Sequence, residues 1–255
     1  MKSSPPSPGD RNDETGWDTE FARQPGRTLL QVFRETYGDD YPEEVEPYSF
    51  VTKTDLARIL HFLAIGPGSV FVDLGCGRGG PGLWFARETG ADLIGIDLSP
   101  NAIRWASQRI AQFGVVGRAR FLQADLCGTS LPDQSCDGAV SIDVLMLIQD
   151  KDAIMREVAR ILRTGAPLVF TALERGNTEL YRSPLEDNGF RVEVYEETPD
   201  YRRRRLGLYE RILAEQGVLL EEMGEGFHAL ITAAERGIAD GLEDSRRALV
   251  VGRRM

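Results

Sequence analysis

Apolar positions along this chain fall into two regimes. From residue 1 to about 27 they are sparse, and Pro5, Pro6, Pro8, Gly9, Gly16, Pro25 and Gly26 stand among charged residues. So little apolar surface cannot offset the entropy of ordering a backbone, which predicts a disordered tail over 1–27. Leu29, Leu30, Val32 and Phe33 then mark a short amphipathic helix over 28–37. An aromatic, acidic loop follows, and Thr54 can cap a helix running to about Leu63, before Gly66-Pro67-Gly68. These two helices make an N-terminal cover over 28–66.

From residue 67 the period changes. SVFVDL is a continuous apolar run that stops at a glycine cluster. A helix over 80–89 comes next, then a strand over 91–97 and a helix from Pro100 to about Phe113. Strands at 118–125, 136–143 and 166–173 follow, with a helix at 151–163 before the last of them. Buried strands separated by helices imply parallel pairing with helices on both faces. A helix over 178–188, the strand FRVEVYEE, two helices at about 200–216 and 221–239, and a last strand RALVVGR complete the pattern. The expected fold is therefore α/β: a Rossmann-like, mostly parallel seven-stranded sheet spanning 67–255, with a helical insert at about 200–239 before the last strand.

Composition narrows the function classes. At 255 residues, 42% hydrophobic and 27% charged, the chain is an ordinary globular protein rather than a disordered or fibrous one. Thirty Lys and Arg against forty Asp and Glu leave a net charge of −10, which argues against nucleic acid or an anionic membrane as partner. Cys76, Cys127 and Cys136 show no metal spacing and read as reduced thiols of a cytoplasmic protein, and no metal is expected. MKSSPPSPGD has no apolar signal-peptide core, and no run approaches the ~20 apolar residues of a membrane span.

The chemistry concentrates in Asp73-Leu74-Gly75-Cys76-Gly77-Arg78-Gly79-Gly80. A glycine loop between a strand and a helix lets a ligand approach backbone amides without Cβ interference. The glycines fit either G-x-G-x-x-G, which suggests NAD, or D-x-G-x-G-x-G. Carboxylates separate the two. Asp97 ends the second strand, where a ribose takes two hydroxyl hydrogen bonds. Asp125 ends the third and can accept from an adenine amine. Asp73, just before the loop, repels a pyrophosphate but welcomes a cationic amino-acid group. The pocket thus suits a ligand with hydroxyls, an amine and a positive centre, and S-adenosylmethionine fits.

VFVDLGCGRGG, GIDLSPNAIRWA, FLQADL, CDGAVSID and REVARILRTGAPLVFT, in that order, closely resemble the class I S-adenosylmethionine-dependent methyltransferases over roughly residues 48–174. The resemblance implies that Asp73, Gly75, Gly77 and Gly79 line the methionine end, with Cys76 of the same loop packed inertly near the cofactor. Asp97 would hold the ribose, with Leu98 near the adenine. Asp125 and Leu126 would read the adenine, and Ser141 would offer its backbone to the methionine amine. Relatives close the segment before the core over the cofactor, which makes Tyr48 and Thr52 candidates. The branch it resembles tailors small molecules, including sugars and polyketides of bacterial natural products. That implies a small-molecule acceptor and a monomer or homodimer.

Sugar O-methyltransferases of this type place a histidine base after the fourth strand, where this chain has Met146 and Leu147. The acidic partner after their fifth strand corresponds to Ala172, with Glu174 two residues on. Candidate catalytic groups are His228 in the insert, Asp143 and Glu174, each of which also has a purely structural reading. His61, inside a helix, reads as packing or surface. Arg202-Arg203-Arg204-Arg205 reads as a solvated helix start more readily than as an anion site. The missing histidine favours a phenol, amine or activated carbon as acceptor. It also keeps open a cofactor-binding protein without methyl transfer, and an NAD-dependent oxidoreductase is the remaining rival.

Overall fold

The computed structural model describes residues 18, 25–46, 49–176, 178–224, 227–239, 242 and 244–255. Most of the expected tail lies outside the described residues. Within it, Asp18 accepts hydrogen bonds from Ser99 Oγ (2.8 Å) and the Asn101 amide (3.0 Å).

Seven strands form one sheet in the order β3-β2-β1-β4-β5-β7-β6. They are β1 (Val70–Leu74), β2 (Asp92–Asp97), β3 (Ala119–Gln123), β4 (Gly138–Ile142), β5 (Pro167–Arg175), β6 (Phe190–Glu197) and β7 (Ser245–Arg254). The pairings from β3 through β5 are all parallel, and β7 runs antiparallel to both β5 and β6. The mostly parallel α/β sheet is as expected. β1 and β4 are neighbours although β2 and β3 follow β1 in sequence, so the chain reverses its direction of winding there. Such switch points open a crevice beyond the strands' C-terminal ends.

Helices α1 (Arg27–Tyr37) and α2 (Lys53–Leu63) form the cover. Between successive strands run α3 (Gly80–Thr89), α4 (Pro100–Arg109), α5 (Lys151–Ile161) and the short α6 (Arg182–Asp187). Among its described residues the insert holds three helices rather than the expected two: α7 (Tyr201–Ala214), α8 (Gln216–Met223) and α9 (His228–Ala239). The cap of α2 is Thr52, not Thr54. Thr52 Oγ1 accepts from the Asp55 amide and Asp55 accepts in return from the Thr52 amide, a reciprocal capping box. The Thr54 hydroxyl instead donates to Asp40 (2.9 Å).

One apolar cluster on each face of the sheet makes the core, around Val72, Leu168 and Phe170 on one side and Phe71, Leu83 and Val169 on the other. A third joins α1 to the insert through Leu29, Val32, Phe33, Leu208, Ile212 and Ala234. Among the described residues no helix is long and apolar enough to cross a membrane.

Candidate functional site

The crevice at the switch point is a cavity of about 430 Å³, within the range of small-ligand sites. β1 delivers Asp73 and the glycine loop to it, β2 delivers Asp97 and Leu98, the turn after β3 delivers Asp125 and Leu126, and β4 delivers Asp143. The loop is tied down by Gly75 and Cys76 amides donating to the Ile96 carbonyl, at 2.8 and 2.9 Å. Two glycines are demanded by geometry. Gly75 has φ +74°, and a Cβ there would sit 2.5 Å from Val144. Gly77 has φ +51°, which turns its amide onto Asp97 Oδ2 at 2.8 Å.

The carboxylates differ in what already occupies them. Asp97 accepts from Gly77 on one oxygen and from the Ser99 amide (3.0 Å) on the other, with the Leu98 amide also directed at the carboxylate, which leaves acceptor capacity for a further donor. Burial raises its pKa above the usual carboxylate range, opposed by those amides. Asp125 is exposed and accepts from the Cys127 amide at 2.8 Å. Asp73 is buried, its Oδ2 has no protein partner, and it lines the cavity. Burial first, and the nearby Asp97 charge second, push its carboxyl up to about 7, against a hydrogen bond from the Gly82 amide. The unpartnered Oδ2 is turned in against Gly82 of α3, while Asp73 as a residue lines the cavity, where its negative charge favours a cationic ligand group nearby. Burial and both carboxylates hold the Cys76 thiol well above its ordinary pKa, hence neutral.

The other candidates scatter. Gly79 turns the loop into α3 but does not line the cavity. Ser141 is buried and its hydroxyl donates to the Leu74 carbonyl at 2.8 Å, bracing β4 on β1 beside the site. The Thr52 hydroxyl is taken by the helix cap. Tyr48 lies outside the described residues. Asp143 lines the cavity, yet both of its oxygens are occupied, by Arg247, Thr171 and the Phe50 amide. Glu174 is buried away from the cavity, bonded by Arg246, Tyr195 and the Leu180 amide. His228 is exposed at the start of α9 and does not line the cavity; His61 is likewise exposed, its ring against Phe62. Within the arginine run, Arg204 pairs with Asp40, Arg203 with Asp200, and Arg205 lies among Tyr201, Tyr209 and Phe50.

A family model described as a methyltransferase domain matches residues 72–170, the span from β1 to β5 that builds the cavity. Residues 72–170 therefore carry a methyltransferase domain. It is similar to the methyltransferase GfsG of Streptomyces halstedii, at 32% identity over 127 residues, which is 50% of this chain and 46% of that one. The chain thus spans less than half of that relative's length. Among solved structures it is similar to the [4+2]-cyclase SpnF, with a TM-score of 0.71 at 21% identity, covering 78% of this chain and 80% of that one. A geranyl diphosphate C-methyltransferase of Streptomyces coelicolor has a TM-score of 0.69 at 16% identity and matches nearly end to end, 99% of this chain and 100% of that one. Both likenesses show the fold.

The cavity also has walls that sequence reasoning missed. Val144, Leu147 and Ile148, after β4, form an apolar side, with the Leu145–Leu147 turn occupying the place of the absent histidine. Glu46 and Asp150 bring the cavity carboxylates to six, with Arg78 the one basic side chain among the described lining residues. The turn residues left a faint signal, an apolar V-L-M-L-I run where a loop is expected. Glu46 left none, because nothing in its local pattern ties the cover to the sheet.

Proposed function

We propose that the chain transfers a methyl group from S-adenosylmethionine to a small-molecule acceptor at O, N or an activated carbon, in bacterial natural-product biosynthesis. The supporting observation is that Asp73, Asp97 and Asp125, at the ends of three successive strands, line one cavity together with the glycine loop. When bound, S-adenosylmethionine supplies an activated methyl on a sulfonium. The protein's share is binding, orientation and exclusion of water. Asp73 takes the cationic amino-acid end, Asp97 the ribose hydroxyls with its remaining lone pairs, and Asp125 with Leu126 the adenine. The apolar side at Val144, Leu147 and Ile148 orients the acceptor.

The charge of the cavity selects the acceptor. Six carboxylates against one guanidinium disfavour a phosphorylated molecule and suit a neutral or cationic one. No histidine lines the cavity among the described residues, and a phenol, amine or activated carbon needs less help from a base than an aliphatic alcohol. A cytoplasmic monomer or homodimer accords with this reading. A second reading, cofactor binding without methyl transfer, gains weight from the likeness to a [4+2]-cyclase.

The first test is thermal stabilisation by S-adenosylhomocysteine against NAD. At 100 Kd, a ligand that binds only the folded state adds about 2.7 kcal/mol, or roughly 5–10 °C in Tm for a chain of this size. The expected result is a shift with S-adenosylhomocysteine that Asp97→Ala abolishes. A shift with NAD alone would overturn the proposal. Methyl transfer to a panel of phenols and amines then separates the two readings.

A further inference from the structure

Arg247 is the third residue of β7, just before its apolar stretch, and its side chain is 1% exposed. Its Nε donates to Asp143 Oδ1 (2.8 Å), one terminal nitrogen to Asp55 Oδ2 (2.8 Å) and the other to Thr171 Oγ1 (3.1 Å). The Thr171 hydroxyl in turn donates to Asp143 Oδ1 at 2.9 Å. The remaining Asp143 oxygen accepts from the Phe50 amide at 3.1 Å. Three elements that share no local sequence thus meet on one guanidinium: the end of β4, the strand β5 and the capping box of α2.

We infer that Arg247 is a positioning residue of the site: through Asp143 and Thr171 it fixes the cavity wall formed by Ser49, Asp143 and Val144, and thereby sets cofactor affinity. This rests on the reading that the cavity holds S-adenosylmethionine. Asp143 has φ +57°, a left-handed conformation that a non-glycine residue keeps only when its surroundings hold it there. That turn carries Val144 onto the glycine loop, where its side chain occupies the space a Cβ on Gly75 would need. The same carboxylate pins the Phe50 amide, next to the cavity-lining Ser49. The Phe50 ring packs edge-on against Tyr201 (5.7 Å) and lies under Arg205 (5.4 Å) of α7. One residue therefore joins the cover, the insert and the sheet, and its backbone is placed by Asp143. With both oxygens engaged and a guanidinium beside it, Asp143 is an acceptor that holds structure rather than a base.

A buried ion cluster could serve stability alone, and the neighbouring strand residue supplies the control. Arg246 points to the opposite face of β7, where it pairs with the buried Glu174 at 2.7 Å, off the cavity. Removing either arginine strands a buried carboxylate and is destabilising. The experiment measures S-adenosylhomocysteine affinity by calorimetry, Tm, and hydrogen exchange at the Phe50 amide, on the full chain. The variants are Arg247→Met, Arg246→Met and Thr171→Val, the last nearly isosteric and favourable in a strand. Arg247→Met is expected to weaken affinity by about tenfold and Thr171→Val by about threefold, each with faster exchange at Phe50. Arg246→Met is expected to lower Tm comparably while affinity stays within about twofold of wild type. Equal losses of affinity in the two arginine variants, or wild-type affinity in Thr171→Val, would overturn the inference. If Arg247→Met does not fold, Thr171→Val decides. If the wild type binds no S-adenosylhomocysteine, the proposed function fails. Exchange at Phe50 then still tests the anchor: faster in Thr171→Val but not in Arg246→Met supports it, and unchanged in Thr171→Val removes it.

Discussion

Asp73 carries the most direct electrostatic consequence. Its folded pKa of about 7 stands above the ordinary 3.8, so its contribution to stability is complete below 3.8 and is lost as pH rises through about 7. The difference corresponds to a few kcal/mol. Denaturant unfolding of the ligand-free protein should show wild-type stability falling between pH 4 and 7 relative to Asp73→Asn, then running level with it above. Parallel profiles would mean that the carboxylate is already satisfied. The three carboxylates and the glycine loop were readable from the sequence because each sits at a strand end, and strand ends follow from where apolar runs stop. Asp143 was readable as a site residue for the same reason. Its role was not, because its partners Arg247, Thr171 and Phe50 lie 104, 28 and 93 residues away. Glu174 and His228 were named for their chemistry, and only the fold could show that neither lines the cavity.

Among the secondary elements, strands were read more accurately than helices. SVFVDL and the ALVV of RALVVGR are short apolar runs rich in valine that belong in a buried sheet. Helix ends depend on competing polar groups. Thr52 and Thr54 are both good caps, and the choice is made by Asp55, which can complete a capping box only with Thr52. Asp40 then claims Thr54. The break between α7 and α8 at Glu215 has only Gly217, inside the first turn of α8, to announce it, whereas the end of α8 is marked by Gly224 at φ +76°. Thr52→Ala removes the hydroxyl that accepts from the Asp55 amide, and should cost about 1 kcal/mol in chemical denaturation, typical of a lost cap. Thr54→Ala, which touches only the exposed Asp40 contact, should cost less than half of that. The reverse order would show that the capping box does not hold α2.

The molecule as a whole is a sheet with two continuous cores and an appended cap. The cap cluster is built chiefly from α1 and the insert and is distinct from the two clusters on the sheet, which it meets where the Leu242 carbonyl accepts from the Ser245 amide of β7 at 2.9 Å. It is attached through a few polar and aromatic contacts: Arg204 with Asp40 (2.7 Å), Arg205 with Ser245 (2.9 Å), and the Phe50 ring on α7. A small apolar cluster held this way should open more readily than the strands beneath it, as one cooperative unit. Ile212 lies at its centre, fully buried. Ile212→Ala leaves a cavity that costs about 2–5 kcal/mol, and that loss should fall on the cap alone. Native-state hydrogen exchange is therefore expected to rise together in α1 and α7 and to stay at wild-type rates in β1, β4 and β5. Uniform acceleration across cap and sheet would mean that the cap opens only when the whole molecule unfolds. The Phe50 amide discriminates further: with its ring on α7 and its N–H on Asp143, it should keep its protection in Ile212→Ala if the sheet-side anchor dominates. Its exchange in that variant, set beside its exchange in Thr171→Val, apportions the hold on the cavity wall between the cap and the buried arginine.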